Sequence, residues 1–405
     1  MKKLIFGLAA VLILFGAVIT FNQQPAALSA QPAQTSAPDA APDAVSAPVE
    51  TPALPEVHSL DYEAIRALHG EDEAAVTIEG ESVNWGDYAA WLRTNGLQYE
   101  DYFRQMGAYY GVAADWTGSI GDGSGMTYAQ GLLRETNDTL GSFLAIRAYA
   151  KEKGVELDAE TLAELEPEHL AADICGEDAT VEDLAGQLEK TSHMTVNNYR
   201  FYSETVLLYA ALYKELYGEE GEKLSEEEVL DALEADGYLS AAHILFMTID
   251  PMTGKELDAE TVAGKREQAE AVVKELRAIE DPEELVRRFA ELKEQYCEDT
   301  GKEIYPDGYT FTPGTMVQEF ESAVKSMGDY EVSDPVQTTY GLHVIMRLPL
   351  NADSLLSSTQ GTPLTARKSV AQNDITKQLD AYFETHPAVY AEGLEDLDLT
   401  KYIVE

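Results

Sequence analysis

Histidine is scarce in this 405-residue chain, with seven in all, and two of them stand in unusual company. His243 interrupts the apolar run Ala241-Ala242-His243-Ile244-Leu245-Phe246, and His343 interrupts Tyr340-Gly341-Leu342-His343-Val344-Ile345. A neutral imidazole offers one N–H donor and one bare nitrogen acceptor, and it changes charge near neutral pH. Two of them in strands could organise a polar site, or simply be satisfied core residues that hold a sheet together. His58, His69, His169, His193 and His386 have no helpful neighbours. No His-Glu-x-x-His run, Cys-x-x-Cys pair, Gly-Lys-Ser/Thr phosphate loop or Gly-x-Ser-x-Gly elbow occurs. The Gly-rich stretch 118–125 lacks the alternating acids of a calcium loop and reads as a flexible loop. The residues offer no metal site and no cofactor cradle.

The elements that must carry the two histidines follow from periodicity. Residues 241–249 read as a strand, 261–279 as a helix, and Asp281-Pro282-Glu283-Glu284 supplies an N-cap, a proline at the first helical position and an acidic first turn for a helix to about Tyr296. A shorter helix is expected over 316–326, with strands over 336–338 and 342–348. This order suggests a compact α+β domain around an antiparallel sheet. Earlier, residues 60–238 are mainly helical. A hairpin over 75–83 leads through Asn84 into a helix over 85–92, and helices follow over 132–148 and 196–217. In the last of these Tyr202, Tyr209, Tyr213 and Tyr217 place rings near one face, either as the domain's own core or as a half-wet cradle for unfolded chains. Ser225-Glu226-Glu227-Glu228 is a capping box that opens a helix ending near Gly237. A last helix runs from Thr362-Pro363 through Phe383.

Composition bounds the partners. With 28 Lys and Arg against 73 Asp and Glu, the net charge of −45 repels phosphate backbones, which excludes nucleic acid. Lys2 and Lys3 precede an uncharged run, residues 4–21, so 1–21 read as a signal peptide or a membrane anchor and place the remainder outside the cytoplasm. Ala27-Leu28-Ser29-Ala30 is an imperfect cleavage site, and no Cys follows the run to take a lipid. Residues 22–59, rich in Ala and Pro, read as a disordered tether. Cys175 and Cys297 are too few for a disulfide scaffold and either pair or stay free.

Four segments in order, Ala241-Ala242-His243-Ile244-Leu245, then Tyr296-Cys297-Glu298-Asp299, then 311–321 with Met316 and Phe320, then 335–345 with Tyr340-Gly341-Leu342-His343, resemble the parvulin-type peptidylprolyl cis-trans isomerases. The resemblance covers residues 239–349. It implies a four-stranded antiparallel sheet wrapped by helices, with His243 and His343 side by side at its centre and Asp299 at the family's Asp-or-Cys position. It also implies an apolar floor of Met316 and Phe320 for the proline ring, with Tyr309 and Leu342 beside it. No metal or cofactor is implied. Met316 and Phe320, four apart, would share one helix face. One departure stands out. Where the family carries Gly-Gly-Asp-Leu-Gly, this chain has Tyr305-Pro306-Asp307-Gly308-Tyr309-Thr310, without the Gly pair or the pocket Leu.

The flanks resemble exported foldases of the SurA and PrsA group, which set a helical chaperone domain before the isomerase domain. On that reading 60–238 is chaperone-like, and 350–405 is a C-terminal helical segment that packs on it. The expected function is an exported isomerase and foldase acting on unfolded or partly folded polypeptides with X-Pro bonds. The alternative is a chaperone or binding module whose isomerase domain is catalytically degenerate. Two histidines that stay neutral would make activity change little above about pH 7.

Overall fold

The computed structural model describes residues 57–111, 114–357 and 363–404; the leader 1–21 and nearly all of the tether lie outside them. The described residues fall into two compact units. One runs to Leu212 and resumes at Gln378, and the other is Tyr213–Lys377. Of the C-terminal stretch, 350–377 therefore clusters with the second unit and Gln378 onward with the first.

The first unit is mainly helical. After α1 (Tyr62–Arg66), strands β1 (Ala74–Ile78) and β2 (Glu81–Asn84) form a hairpin. Its two-residue turn, Glu79 and Gly80, has φ of 46° and 86°, the mirror-image turn that matches strand twist. Asn84 then accepts from the Asp87 N–H at 2.8 Å and starts α2 (Trp85–Tyr110), which runs well beyond the expected end at residue 92. The helix α3 (Tyr128–Glu152) opens on a Thr127/Gln130 capping box. Trp85, Tyr88, Leu92, Phe103, Leu132 and Phe143 form much of the core. Three shorter helices, α4 (Ala159–Glu164), α5 (Pro167–Cys175) and α6 (Val181–Ser192), precede α7 (Val196–Tyr217). On α7, Tyr202, Tyr209 and Tyr217 are buried and Tyr213 is half-buried, so most of the ring stripe is packing. A strand unforeseen from sequence, Val389–Tyr390, adds to the far edge of β1.

The second unit holds the sheet on which the histidines lie. The helix α8 (Glu226–Ala235) packs Val229 and Leu233 against Ala352, Leu356 and Ala366. Next come β3 (Leu239–Met247), α9 (Ala259–Leu276), α10 (Pro282–Tyr296), β4 (Tyr309–Phe311), α11 (Gln318–Ser326), β5 (Val336–Gln337) and β6 (Gly341–Leu348). The strands pair antiparallel in the order β4-β3-β6-β5, the four-stranded sheet expected. Side chains alternate between the two faces of a strand. Ala242, Ile244, Phe246, Leu342, Val344 and Met346 therefore face α9 and α10, where they meet Val272, Leu276, Leu285 and Phe289 in a closed core. Ala241 and Ile345 face the other way, toward Phe311, Phe320 and Val324. The last long helix, α12, spans Ala366–Thr385.

Candidate active site

Register alone brings the histidines together. His243 lies opposite Ile345 and His343 opposite Leu245 on adjacent strands. Both imidazoles therefore leave the same face on a diagonal, where long side chains reach each other. Their Nδ1 atoms are 2.9 Å apart. Both residues are buried, at 7% and 4% exposure. His243 Nε2 lies 2.9 Å from Asp299 Oδ2, and His343 Nε2 lies 2.9 Å from Thr338 Oγ1. The Tyr309 hydroxyl donates to Asp299 Oδ2 at 2.6 Å, the Gly301 N–H donates to Oδ1 at 2.9 Å, and the Tyr340 N–H donates to Thr338 Oγ1 at 3.1 Å.

These contacts fix the protons by elimination. An ionised Asp299 accepts only, so His243 carries its proton on Nε2 and, when neutral, presents a bare Nδ1. His343 then donates from its own Nδ1 and accepts at Nε2 from the Thr338 hydroxyl. Burial holds His343 neutral, and every ring nitrogen in the line has a partner. Burial pushes the Asp299 carboxyl up, but the hydrogen bonds from His243, Tyr309 and Gly301 outweigh it and hold it well below the usual carboxylate range. Burial, reinforced by the neighbouring His243, lowers His343 to about 3 against the opposing pull of Asp299. Burial, then the hydrogen bond to ionised Asp299, pushes the Tyr309 phenol up and keeps it protonated.

A group that resists protonation when folded and accepts it near pH 6.5 when unfolded makes stability rise with pH across that gap. His343 thus stabilises the fold fully above about pH 7 and progressively less from pH 6.5 down toward 3. Asp299 is depressed as well, so its contribution is lost at still lower pH, as acid begins to protonate the carboxylate. Denaturant unfolding at pH 7 and pH 4 should show a loss on the order of 3 kcal/mol that His343→Asn removes. An identical pH slope in wild type and variant would exclude this origin.

Beside the line lies a cavity of about 480 Å³, bordered by His243, Leu245, Met247, Pro251, Glu298, Asp299, Thr300, Tyr309, Thr315, Met316, Val317, Phe320, Tyr340 and His343. Phe320 is 3% exposed and meets both imidazoles edge-on, with centroids 5.3 and 5.6 Å away. Met316 lines the same wall, though not by a shared helical face. The helix starts only at Gln318 with Val317 as its cap, and Met316 sits in the preceding turn. Tyr309 borders the cavity, with its hydroxyl tied to Asp299 and its ring 4.8 Å from that of Tyr305.

Leu342 is a correction. It is fully buried on the opposite face, in the core with α9 and α10, because it neighbours His343 in a strand where alternate residues face apart. Sequence reasoning missed Thr338, which is 6% exposed and the hydroxyl end of the line. Its signal was present as a hydroxyl residue five before His343, across a tight turn. It also missed Lys293, buried on α10, whose ammonium donates to the Tyr305 and Pro306 carbonyls at 3.0 and 2.8 Å and props the departing 305–310 loop. Gly308, at φ 119°, lets that loop pass; a Cβ there would lie 2.8 Å from the Ala241 carbonyl oxygen. Cys175 and Cys297 are both free.

A four-stranded antiparallel sheet with paired histidines over an apolar notch defines a parvulin-type rotamase domain. The model of that family, the PPIC-type PPIase domain, matches residues 243–348, about a quarter of the chain, and this segment belongs to the family. Over 141 residues, 34% of this chain and 39% of that protein, the chain is 32% identical to the foldase protein PrsA of Oceanobacillus iheyensis. Foldase protein PrsA 3 of Bacillus cereus is 52% identical over 58 residues, covering 14% of this chain and 20% of its own. Chaperone SurA of Chromohalobacter salexigens is 30% identical over 118 residues, covering 29% and 26%. The chain spans less than two fifths of the length of these curated relatives. The crystal structure of the peptidylprolyl isomerase PrsA from Bacillus cereus aligns over 82% of this chain and 98% of its own, at 16% identity and a TM-score of 0.29, too low to compare arrangements.

Proposed function

We propose that this chain is an exported peptidylprolyl cis-trans isomerase and foldase for secreted or surface proteins. The observation that carries the reading is the linked and buried His243–His343 pair beside an open apolar notch. An X-Pro bond rotates over a barrier of about 18–20 kcal/mol because planar resonance is lost on the way. No bond is made or broken, so a catalyst must only favour the twisted amide over both planar forms. Met316 and Phe320 would grip the proline ring. The twisted amide has a more ketone-like carbonyl, with less negative charge on oxygen. A wall bearing ionised Asp299, held in place by His243 and Tyr309, raises the energy of the planar forms relative to that state.

The substrates are unfolded or partly folded exported chains. Export is supported by the uncharged leader and by the likeness to foldases, and the charge of −45 argues against nucleic acid. Among the described residues no helix is long and apolar enough to cross a membrane. A second reading, a chaperone module with a degenerate isomerase domain, is favoured by one observation, the replaced 305–310 loop. A protease-coupled assay on the full chain with a proline tetrapeptide decides between them. Catalysed exchange is expected. No rate above background, with aggregation of an unfolded client still suppressed, would leave only the second reading.

A further inference from the structure

We propose that the notch selects by the charge of the residue preceding proline, accepting basic and neutral residues and rejecting acidic ones, with the Lys265–Glu298 ion pair setting how strongly. This rests on the isomerase reading above and names the substrate class of that same site.

The argument begins with what lines the cavity. Two carboxylates border it, Glu298 and Asp299, and no Lys or Arg does. Burial keeps His343 neutral, so that imidazole supplies no compensating charge. The carboxylates are fixed along the free edge of β3 beyond β4. The Glu298 N–H donates to the Leu245 carbonyl at 3.0 Å, and the Met247 N–H donates to Glu298 Oε2 at 2.6 Å. Asp299 sits at the level of His243. Strand rise is about 3.3 Å per residue, so the carboxylates edge roughly 13 Å of the groove, from His243 to Met247. A dipeptide seated with its ring on Phe320 cannot avoid that field.

Lys265, from α9, is the counterweight. Its ammonium lies 2.5 and 2.7 Å from the two Glu298 oxygens and outside the cavity lining. It neutralises Glu298 from outside the cavity lining, whereas Asp299, which borders the cavity, has no Lys or Arg partner there and is answered by its three hydrogen-bond donors and by the field of the buried Lys293 ammonium. The amide end of α11 near Val317 is the opposing positive feature, but Glu319 and Glu321 occupy its first turn. A carboxylate within several ångströms of another, between low-dielectric walls, is disfavoured strongly enough to read in an affinity, and the effect fades with salt.

The test uses end-blocked Ala-Xaa-Pro-Phe peptides with Xaa Lys, Gln or Glu, titrated into the full chain by NMR, which reports affinity and exchange rate separately. The Gln peptide should bind about tenfold tighter than the Glu peptide at low salt, with Lys at least equal to Gln, and the gap should narrow toward 0.5 M salt, at about the scale where screening becomes short-ranged. Lys265→Gln should widen the Gln-to-Glu gap and Glu298→Gln should narrow it. Equal binding of Glu and Gln at low salt, or both variants shifting the gap the same way, overturns the proposal. Selective binding without catalysed exchange would uphold the selectivity and remove the isomerase reading. Failure of every peptide to bind at millimolar concentration would overturn both.

Discussion

Asp299→Ala should lower kcat/KM for prolyl exchange on the order of 100-fold, the scale seen when one preorganised electrostatic group is removed from a site. The substitution strips the acceptor from three donors at once, the His243 Nε2–H, the Tyr309 hydroxyl and the Gly301 N–H. All three belong to half-buried or buried residues, so about 3 kcal/mol of stability should go as well. With the acceptor gone, nothing fixes the His243 proton on Nε2, and the direction of the whole line is lost. Asp299→Asn keeps one oxygen and should fall between wild type and Ala in both measures. Nitrogen NMR of the imidazoles separates the two effects, because a merely destabilised protein would keep the native tautomers in its folded fraction. Wild-type turnover from a folded Ala variant would remove Asp299 from the mechanism.

Phe320→Ala is expected to be the costliest single change at the notch. The ring is buried against Phe311 at 6.0 Å and against both imidazoles, and deleting such a ring costs about 3–5 kcal/mol. Proline peptides should bind more than tenfold more weakly, since the floor they rest on is missing. Phe320→Leu guards against a variant that simply does not fold. It keeps much of the volume and should unfold within about 1.5 kcal/mol of wild type, yet lose affinity because a flat ring face is gone. Full turnover from the Leu variant would show that the aromatic ring is dispensable.

How much of this was legible in the sequence differs by the physics of each feature. Helix α7, α8 and α10 announce themselves through caps, glycines and apolar spacing, and they fold within a residue or two of expectation. The His pair was legible because a His in an apolar strand is rare, and Asp299 because the family motif places it. Strand β4 was not readable from pattern, since three residues carry no periodicity; only the resemblance implied a fourth strand. Leu342, placed beside the floor by the resemblance alone, lies on the other face, because strand residues alternate and its neighbour His343 faces the notch. The length of α2 was hidden by its tyrosines and glycines, which are indifferent helix formers made helical by burial. Thr338 left only a faint signal, a hydroxyl five residues before His343 across a turn, and Lys293 acts through contacts with a loop that no local pattern encodes.

The two imidazoles come from strands a hundred residues apart, joined through a stretch that contributes the floor, the carboxylate and the tyrosine on the way. Closing so large a loop is among the slow steps available to a chain this size. No half-finished version of the domain can be half competent, because an intermediate without β6 has one imidazole, a broken line of hydrogen bonds and an uncovered notch. The onset of turnover during renaturation is therefore a clock for the final strand docking, and the domain reports in its own chemistry the moment at which it has finished folding.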